Sequence, residues 1–204
     1  MTIASMTKVS AKGGGMSPLL RVYAEFAGDG AYLTGGTRGI KALVREAAGN
    51  YGLKPVEFEM SDCGVYDVRG VQERGYVETD NLWPVANQIG LTIFVKVNGA
   101  AADTILFAGG VTTAAHVVGE INAQIPTKVL AFAHGTQVRV MSLKQGDGSS
   151  VEIVAGGTCT DITWDDAVDG TDDMMLLVRT ANNVEAAEAA NLSGQTFRGW
   201  FLCE

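Results

Sequence analysis

Histidine and cysteine are scarce in this sequence, and long apolar runs are absent. The histidines and cysteines are His116, His134, Cys63, Cys159 and Cys203. They lie far apart and form no C-x-x-C pair, so neither a disulfide framework nor a structural zinc site is expected. The longest aliphatic stretches, residues 91–97 and 174–178, are too short to cross a bilayer. The sequence therefore predicts no membrane span and no membrane partner.

The first residues also lack the apolar core of a secretory leader, so we expect a protein made in the cytoplasm. The formal net charge is -8. Nucleic-acid binding needs a basic face, so a nucleic-acid partner is not expected. Hydrophobic residues make up 47% of the chain and charged residues 19%, which indicates a globular protein rather than a disordered one.

The charge is unevenly distributed along the chain. Residues 1–17 contain Lys8 and Lys12 with no acidic residue, and three glycines follow at 13–15. This pattern predicts a flexible basic N-terminal arm that assembles with a neighbour. Residues 161–173 contain six aspartates. The arm and this acidic segment either pair between neighbouring copies or are both solvated surface.

Carboxylate oxygens are calcium ligands, so the acidic segment is also the weak candidate for a metal site. Its candidate residues are Asp165, Asp166, Asp169, Asp172 and Asp173. Their spacing does not fit an EF-hand loop, and we expect neither a bound metal nor a cofactor.

The hydrophobic pattern predicts a mainly β protein of the α+β class, with antiparallel sheets around a sandwich-like core. Alternating segments predominate, and Asn98-Gly99 between two of them predicts a hairpin turn. Helical spacing predicts two helices, at about 38–49 and 112–125. In the second, Ala114, Val118, Ile121 and Ile125 share one face. We expect one domain over residues 18–204, with two subdomains, 18–90 and 91–204, as the alternative.

Residues 31–52, AYLTGGTRGIKALVREAAGNYG, resemble the opening of a short-chain dehydrogenase. Thr34, Gly35 and Gly39 match that pattern, but Lys41 stands where its last glycine belongs. The tyrosine–lysine pair with which that family moves a proton is missing, since no tyrosine has a lysine four residues later. We therefore interpret the stretch as a turn and helix of the fold. Gly35, Gly36 and Gly39 are expected to serve turn geometry and a close backbone approach.

Other catalytic constellations have little support. His134, Cys159 and an aspartate could form a hydrolase site, but no nucleophile-elbow pattern flanks them. His116 and His134 are interpreted as structural, and the chain as a protein without enzymatic activity. Trp164, Trp200 and Phe201 are either core residues or interface anchors, and the pattern alone does not separate these roles.

Residues 91–157 follow a recurring plan: a hairpin, a threonine-capped helix with Ile121-Asn122, an alanine-rich strand, a Gly-Ser turn and a final strand. This segment resembles a module repeated in virion proteins of tailed phages and is similar to the Ile-Asn motif of flagellin outer domains. The stretch ending in Asp62, Cys63 and Gly64 also resembles phage structural proteins. Asn122 flanks the apolar helix face, where its amide is expected to bond backbone.

The resemblance implies a structural subunit of a phage particle, located in the virion. We favour a decoration or cement protein of the head, which binds and stabilises the shell through many copies of a modest interface. A tail-tube or other tail subunit and a fibre or adhesin domain are the alternatives. The implied partners are the major capsid protein or other virion subunits, together with further copies of the chain.

Overall fold

Two β-rich units make up the described part of the chain in this computed structural model. The structure describes residues 11–12, 20–27, 36–49, 52, 54–62, 66–80, 83–180, 192 and 194–204. Unit 1 contains the described residues of Met1–Glu73 and Asp173–Glu204, and unit 2 is the continuous segment Arg74–Asp172. The units are thus divided at 73/74 and 172/173 and not at residue 90, because the last strands of the chain pair with strands near its beginning.

Twelve strands and two helices lie within the described residues. In chain order they are β1 (Ala11–Lys12), β2 (Leu20–Ala27), α1 (Ile40–Ala48), β3 (Pro55–Asp62), β4 (Tyr66–Gln72), β5 (Tyr76–Glu78), β6 (Thr92–Val97), β7 (Asp103–Leu106), α2 (Ala114–Gln124), β8 (Val129–His134), β9 (Gln137–Ser142), β10 (Val151–Val154), β11 (Met174–Thr180) and β12 (Thr196–Cys203). All the strand pairs are antiparallel. The expected class, mainly antiparallel β with two helices, is confirmed. No helix among the described residues is long and apolar enough to cross a membrane.

Unit 1 has a four-stranded sheet in the order β1-β2-β12-β3 and a two-stranded sheet of β11 and β4. Side chains alternate along each strand, so β2 buries Val22 and Ala24, while Arg21, Tyr23 and Glu25 lie on the other side. The core between the sheets also contains Phe197 and Phe201 of β12 and the middle of β11.

Helix α1 packs on this core through Ile40 and Val44, both fully buried, as its apolar spacing predicts. It ends at Gly49, whose left-handed backbone (φ 61°) lets its N–H bond the carbonyl oxygens of Arg45 and Glu46. The predicted span of 38–49 is therefore correct to within two residues.

Unit 2 contains two three-stranded sheets, β10-β6-β7 and β5-β9-β8, and helix α2. The core is almost entirely aliphatic. Thr113 is the N-cap of α2, and its hydroxyl oxygen accepts the His116 N–H at 3.4 Å. The fully buried helix residues are Val117 and Ile121, and Val118, expected on the buried face, is only half-buried.

The predicted hairpin turn is present between β6 and β7. Asn98 and Gly99 both have positive φ values, 52° and 71°, as a type I′ turn requires. The Asn98 side chain then bonds beyond the turn, because its Oδ1 accepts the Ser150 N–H at 2.9 Å and the Ser142 hydroxyl at 3.0 Å.

Candidate functional site

Two carboxylates occupy the N-terminus of helix α1, where a dinucleotide-binding protein would hold pyrophosphate. The Gly39 N–H donates to Glu73 Oε1 at 3.0 Å, and the Lys41 N–H donates to Asp173 Oδ1 at 3.0 Å. Glu73 is buried and also pairs with Arg38, at 2.6 Å between Nη2 and Oε2. Amides at a helix N-terminus attract anions, and here the chain's own acids supply them.

The glycines before α1 allow a close approach of two backbone segments. Gly36 has φ 82°, and a Cβ there would lie 2.6 Å from Leu177 Cδ2 and 2.8 Å from the Leu176 carbonyl oxygen. Thr37 pairs with Leu176 in an isolated bridge. Gly36 thus serves the expected close approach, against strand β11. Gly39 supplies the other expected feature, a left-handed residue at the helix start (φ 73°). Thr34 and Gly35 lie outside the described residues.

The acidic segment does not converge on a metal. Asp165, Asp166, Asp169 and Asp172 are exposed, whereas Asp173 is half-buried at the start of α1. Across the residues that the structure describes, no group of three or more histidine, cysteine or acidic side chains is arranged to hold a metal ion. Asp173 instead accepts a backbone hydrogen bond at the N-terminus of α1. The spacing of the aspartates in the sequence did not indicate this role.

His134 belongs to a mostly buried cluster of polar side chains in the sheet β5-β9-β8. Its Nδ1 lies 2.7 Å from Glu78 Oε1, and Arg139 Nε donates to the same oxygen at 2.9 Å. The Arg139 guanidinium also lies over the Tyr76 ring, 4.2 Å from its centre. Burial raises the pKa of Glu78, but the hydrogen bonds from His134 and Arg139 outweigh it and hold that pKa below its ordinary value.

The two described cysteines are protonated thiols at neutral pH. Burial raises the pKa of Cys203 to about 11. Burial likewise raises the pKa of Cys159, whose Sγ donates to Gln88 Oε1 at 3.2 Å. A nucleophilic cysteine needs the opposite shift, so neither thiol is prepared for catalysis. Cys63 and Gly64 lie outside the described residues, and only the backbone of Asp62 is described, in β3.

The three aromatic anchor candidates have different environments. Phe201 is fully buried in the core of unit 1. Trp164 is half-buried against the core of unit 2, and its Nε1 has no hydrogen-bond partner among the described residues. Trp200 is half-buried on the opposite side of β12 from Phe201, where its ring meets Tyr23 edge-on at 5.1 Å between centroids. Phe201 is therefore a core residue, and the two tryptophans are each half-buried.

Of the arm residues, Lys8 lies outside the described residues. Lys12 is described through its backbone, which pairs with Arg21 at the edge of the four-stranded sheet. Ala11 and Lys12, which the sequence analysis placed in the arm just before its glycines, thus form the strand β1.

Helix α2 is bonded to the edge strands of both sheets of unit 2 by two amide side chains. Asn122 Nδ2 donates to the Ala131 carbonyl oxygen at 2.7 Å, and Asn122 Oδ1 accepts the Ala131 N–H at 2.8 Å. Gln124 makes the same pair of bonds with Leu106, at 2.8 and 3.0 Å. Ala131 is in β8 and Leu106 in β7, each the outermost described strand of its sheet. We call these two arrangements the amide clasps.

The clasps give the Ile121-Asn122 pair a physical role. Ile121 is fully buried, and Asn122 takes the place of a neighbouring strand for the N–H and C=O of one residue of β8, Ala131. The expectation that Asn122 bonds backbone is confirmed. The sequence analysis did not predict the equivalent role of Gln124. Its position, an amide residue two places after Asn122 on the same helix, could have indicated that role.

A groove of about 450 Å³ runs along α2, between the helix and residues 109–111. His116 and Glu120 stand in its wall. Glu120 Oε1 accepts the Gly109 N–H at 2.9 Å, and His116 Nδ1 accepts the Thr112 N–H at 3.4 Å. Both side chains therefore join the helix to the segment between β7 and α2, which is a structural role for His116.

No family model matches this chain, and no curated protein matches it. Among solved structures, the flagellar cap protein FliD from Bdellovibrio bacteriovorus is similar over 71% of this chain and 95% of its own, at 16% sequence identity and a TM-score of 0.41. A likeness of this size carries no argument about function.

Proposed function

We propose that this chain is a structural subunit of a tailed-phage virion and, within that class, a decoration protein of the head shell. The observation that carries the proposal is the clasp of Asn122 on Ala131. Asn122 belongs to the motif on which the resemblance of residues 91–157 to phage virion modules depends. Its side chain bonds a strand and leaves no chemistry to perform, as expected of a packing module.

The polar clusters of the described residues support the same role. The start of α1 holds Glu73 and Asp173, His134 is paired with Glu78, and the described thiols are protonated. Among the described residues, these carboxylates and His134 are bonded within the fold, and the two thiols lack the lowered pKa of a nucleophile. These contacts favour assembly over catalysis.

Binding to purified particles tests the proposal. The protein is incubated separately with decoration-free phage heads, with tail tubes and with host cells, and each mixture is pelleted. We expect saturable binding to heads at a fixed number of copies per shell position. Binding to tubes alone would replace the decoration role by the tail-tube role, and binding to cells alone would indicate an adhesin.

The basic arm supplies a second test of the decoration role. Lys8→Glu is expected to weaken head binding, because a positive charge that meets the shell becomes a negative one. The matched control is Lys96→Glu, the same change at an exposed lysine whose partner Glu152 lies 3.4 Å away on unit 2. Equal head binding by both variants would show that the arm does not contact the shell.

A further inference from the structure

The loop between β9 and β10 brings a backbone nitrogen against the carboxylate of the residue before it. The Gly148 N–H donates to Asp147 Oδ1 at 3.1 Å, within one Asp-Gly pair, and both residues are exposed. A carboxyl carbon and the next backbone nitrogen are the two atoms that close a succinimide ring, and glycine leaves that nitrogen unhindered because it has no side chain. Asp147 Cγ is bonded to the oxygen that receives this contact, so the two reacting atoms already lie close together.

Neighbouring hydrogen bonds hold this contact in place. The Asp147 N–H donates to Asp172 Oδ1 at 3.3 Å on one side. On the other, Lys144 Nζ donates to the Gly148 carbonyl oxygen at 3.2 Å. A reaction within one molecule is fastest when its atoms are held near the geometry of attack. The loop therefore favours ring closure at Asp147.

A second Asp-Gly pair of the same unit, Asp169-Gly170, has different surroundings. Gly170 is buried, and its N–H donates to the Ser149 carbonyl oxygen at 2.7 Å. The nitrogen is therefore held by another acceptor and shielded from the base that must remove its proton. The two pairs thus have the same chemistry in different environments. A third Asp-Gly pair, residues 29–30, lies outside the described residues.

We propose that Asp147 is a site of spontaneous modification in the folded chain, at which aspartate converts to isoaspartate. The Gly148 nitrogen bonds to Asp147 Cγ and loses its proton, and one Cγ–O bond breaks. The oxygen leaves as water, with that proton and the proton of the carboxylic acid. Water then opens the succinimide: attack at the main-chain carbonyl leaves the chain running through Cγ, which is isoaspartate, and attack at Cγ restores aspartate. Water is the only other reactant.

The product changes the backbone beside a buried hydrogen-bond pair. Isoaspartate adds a methylene group to the main chain at residue 147. Two residues later the fully buried Ser149 hydroxyl accepts the Gly75 N–H and donates to the Lys144 carbonyl oxygen, each at 2.8 Å. This inference goes beyond the proposed function and does not depend on it, because the reaction is measured on the purified chain.

The test follows both Asp-Gly pairs in one sample. The purified chain is incubated at neutral pH for several weeks, folded or in guanidinium chloride, in water enriched in heavy oxygen. Each passage through the succinimide places a heavy oxygen in the carboxyl group. Digestion in ordinary water with trypsin and chymotrypsin, after Lys144 and Trp164, puts Asp147 and Asp169 in different peptides, whose masses report the label.

In the folded chain we expect the Asp147 peptide to gain heavy oxygen about tenfold faster than the Asp169 peptide. In guanidinium chloride the two rates should become similar, because the fold no longer separates the two pairs. Equal rates in the folded chain would overturn the proposal. A difference that persists in guanidinium chloride would also overturn it, since the local sequence and not the fold would then set the rate.

Two matched variants assign the label to a residue. Asp147→Glu lengthens the side chain, so the five-membered ring can no longer close, and the label in its peptide should disappear. Asp169→Glu is the same change at another exposed aspartate and should leave the Asp147 rate unchanged. Circular dichroism checks that each variant folds. Label that survives Asp147→Glu would come from another residue of that peptide and would refute the assignment.

Discussion

The two amide clasps allow a matched test of how burial sets the strength of a hydrogen-bond pair. Asn122→Ala removes two bonds to Ala131, and Gln124→Ala removes two bonds to Leu106. Ala131 is 2% exposed and Leu106 is 46% exposed. After Asn122→Ala the N–H and C=O of Ala131 are buried without their partners, whereas water can replace Gln124 at Leu106.

These differences give the expected magnitudes. A buried donor or acceptor left unsatisfied costs about 1–3 kcal/mol, so two such groups at Ala131 should lower the free energy of unfolding by roughly 2–6 kcal/mol. The solvent-accessible pair at Leu106 should account for only about 0.5–1 kcal/mol. Asn122→Asp keeps an acceptor for the Ala131 N–H but turns a carboxylate oxygen towards its carbonyl oxygen. We expect it to be as damaging as alanine at neutral pH.

Urea unfolding followed by tryptophan fluorescence measures these values. Trp83 and Trp164 are in unit 2 and Trp200 is in unit 1, so a Trp200→Phe background restricts the signal to unit 2. If Asn122→Ala costs no more than Gln124→Ala, burial does not strengthen the clasp on β8 and the reasoning from burial is refuted.

Two further predictions follow from the titrating groups. Folding lowers the pKa of Glu78, so this carboxylate stabilises the fold above its ordinary pKa of 4.5, and the effect is lost as the pH falls through the lower pKa of the folded state. Glu78→Gln should therefore flatten the decline in the free energy of unfolding below about pH 5. An equally steep decline in wild type and variant would contradict this. Burial raises the pKa of both Cys159 and Cys203, so a Cys63→Ser variant should react with iodoacetamide at pH 8 far more slowly when folded than in urea. Labelling is measured by mass spectrometry. Rapid labelling of the folded chain would show that these two thiols are not held in the protonated form.

Local features of the fold were predictable because their causes are close in sequence. The apolar spacing of α1, the threonine cap of α2 and the Asn98-Gly99 turn each depend on a few adjacent residues. The same holds for Asn122, whose partner is only nine residues away. At that separation a helix and the following strand have few ways to meet.

The remaining features depend on pairings that no local pattern contains. Glu73 bonds the start of α1 from 34 residues away, and Asp173 does so from 132. The pairing of β12 with both β2 and β3 places Phe201 in the core and Trp200 on the opposite side of the strand, beside Tyr23. Before that register is known, two neighbouring aromatics are equally suited to either side of a strand.

The position of unit 2 in the chain has a consequence for how such a protein can be rebuilt. The chain leaves unit 1 after Glu73 and returns at Asp173. The residues just outside these two, Gln72 and Met174, are paired across β4 and β11. The Glu73 N–H also donates to the Asp173 carbonyl oxygen at 2.8 Å. The two ends of the gap are therefore as close as the ends of a two-residue hairpin loop. Unit 2 could therefore be replaced by an Asn-Gly turn, or by another domain whose termini are adjacent. Neither replacement requires a strand of unit 1 to change its register.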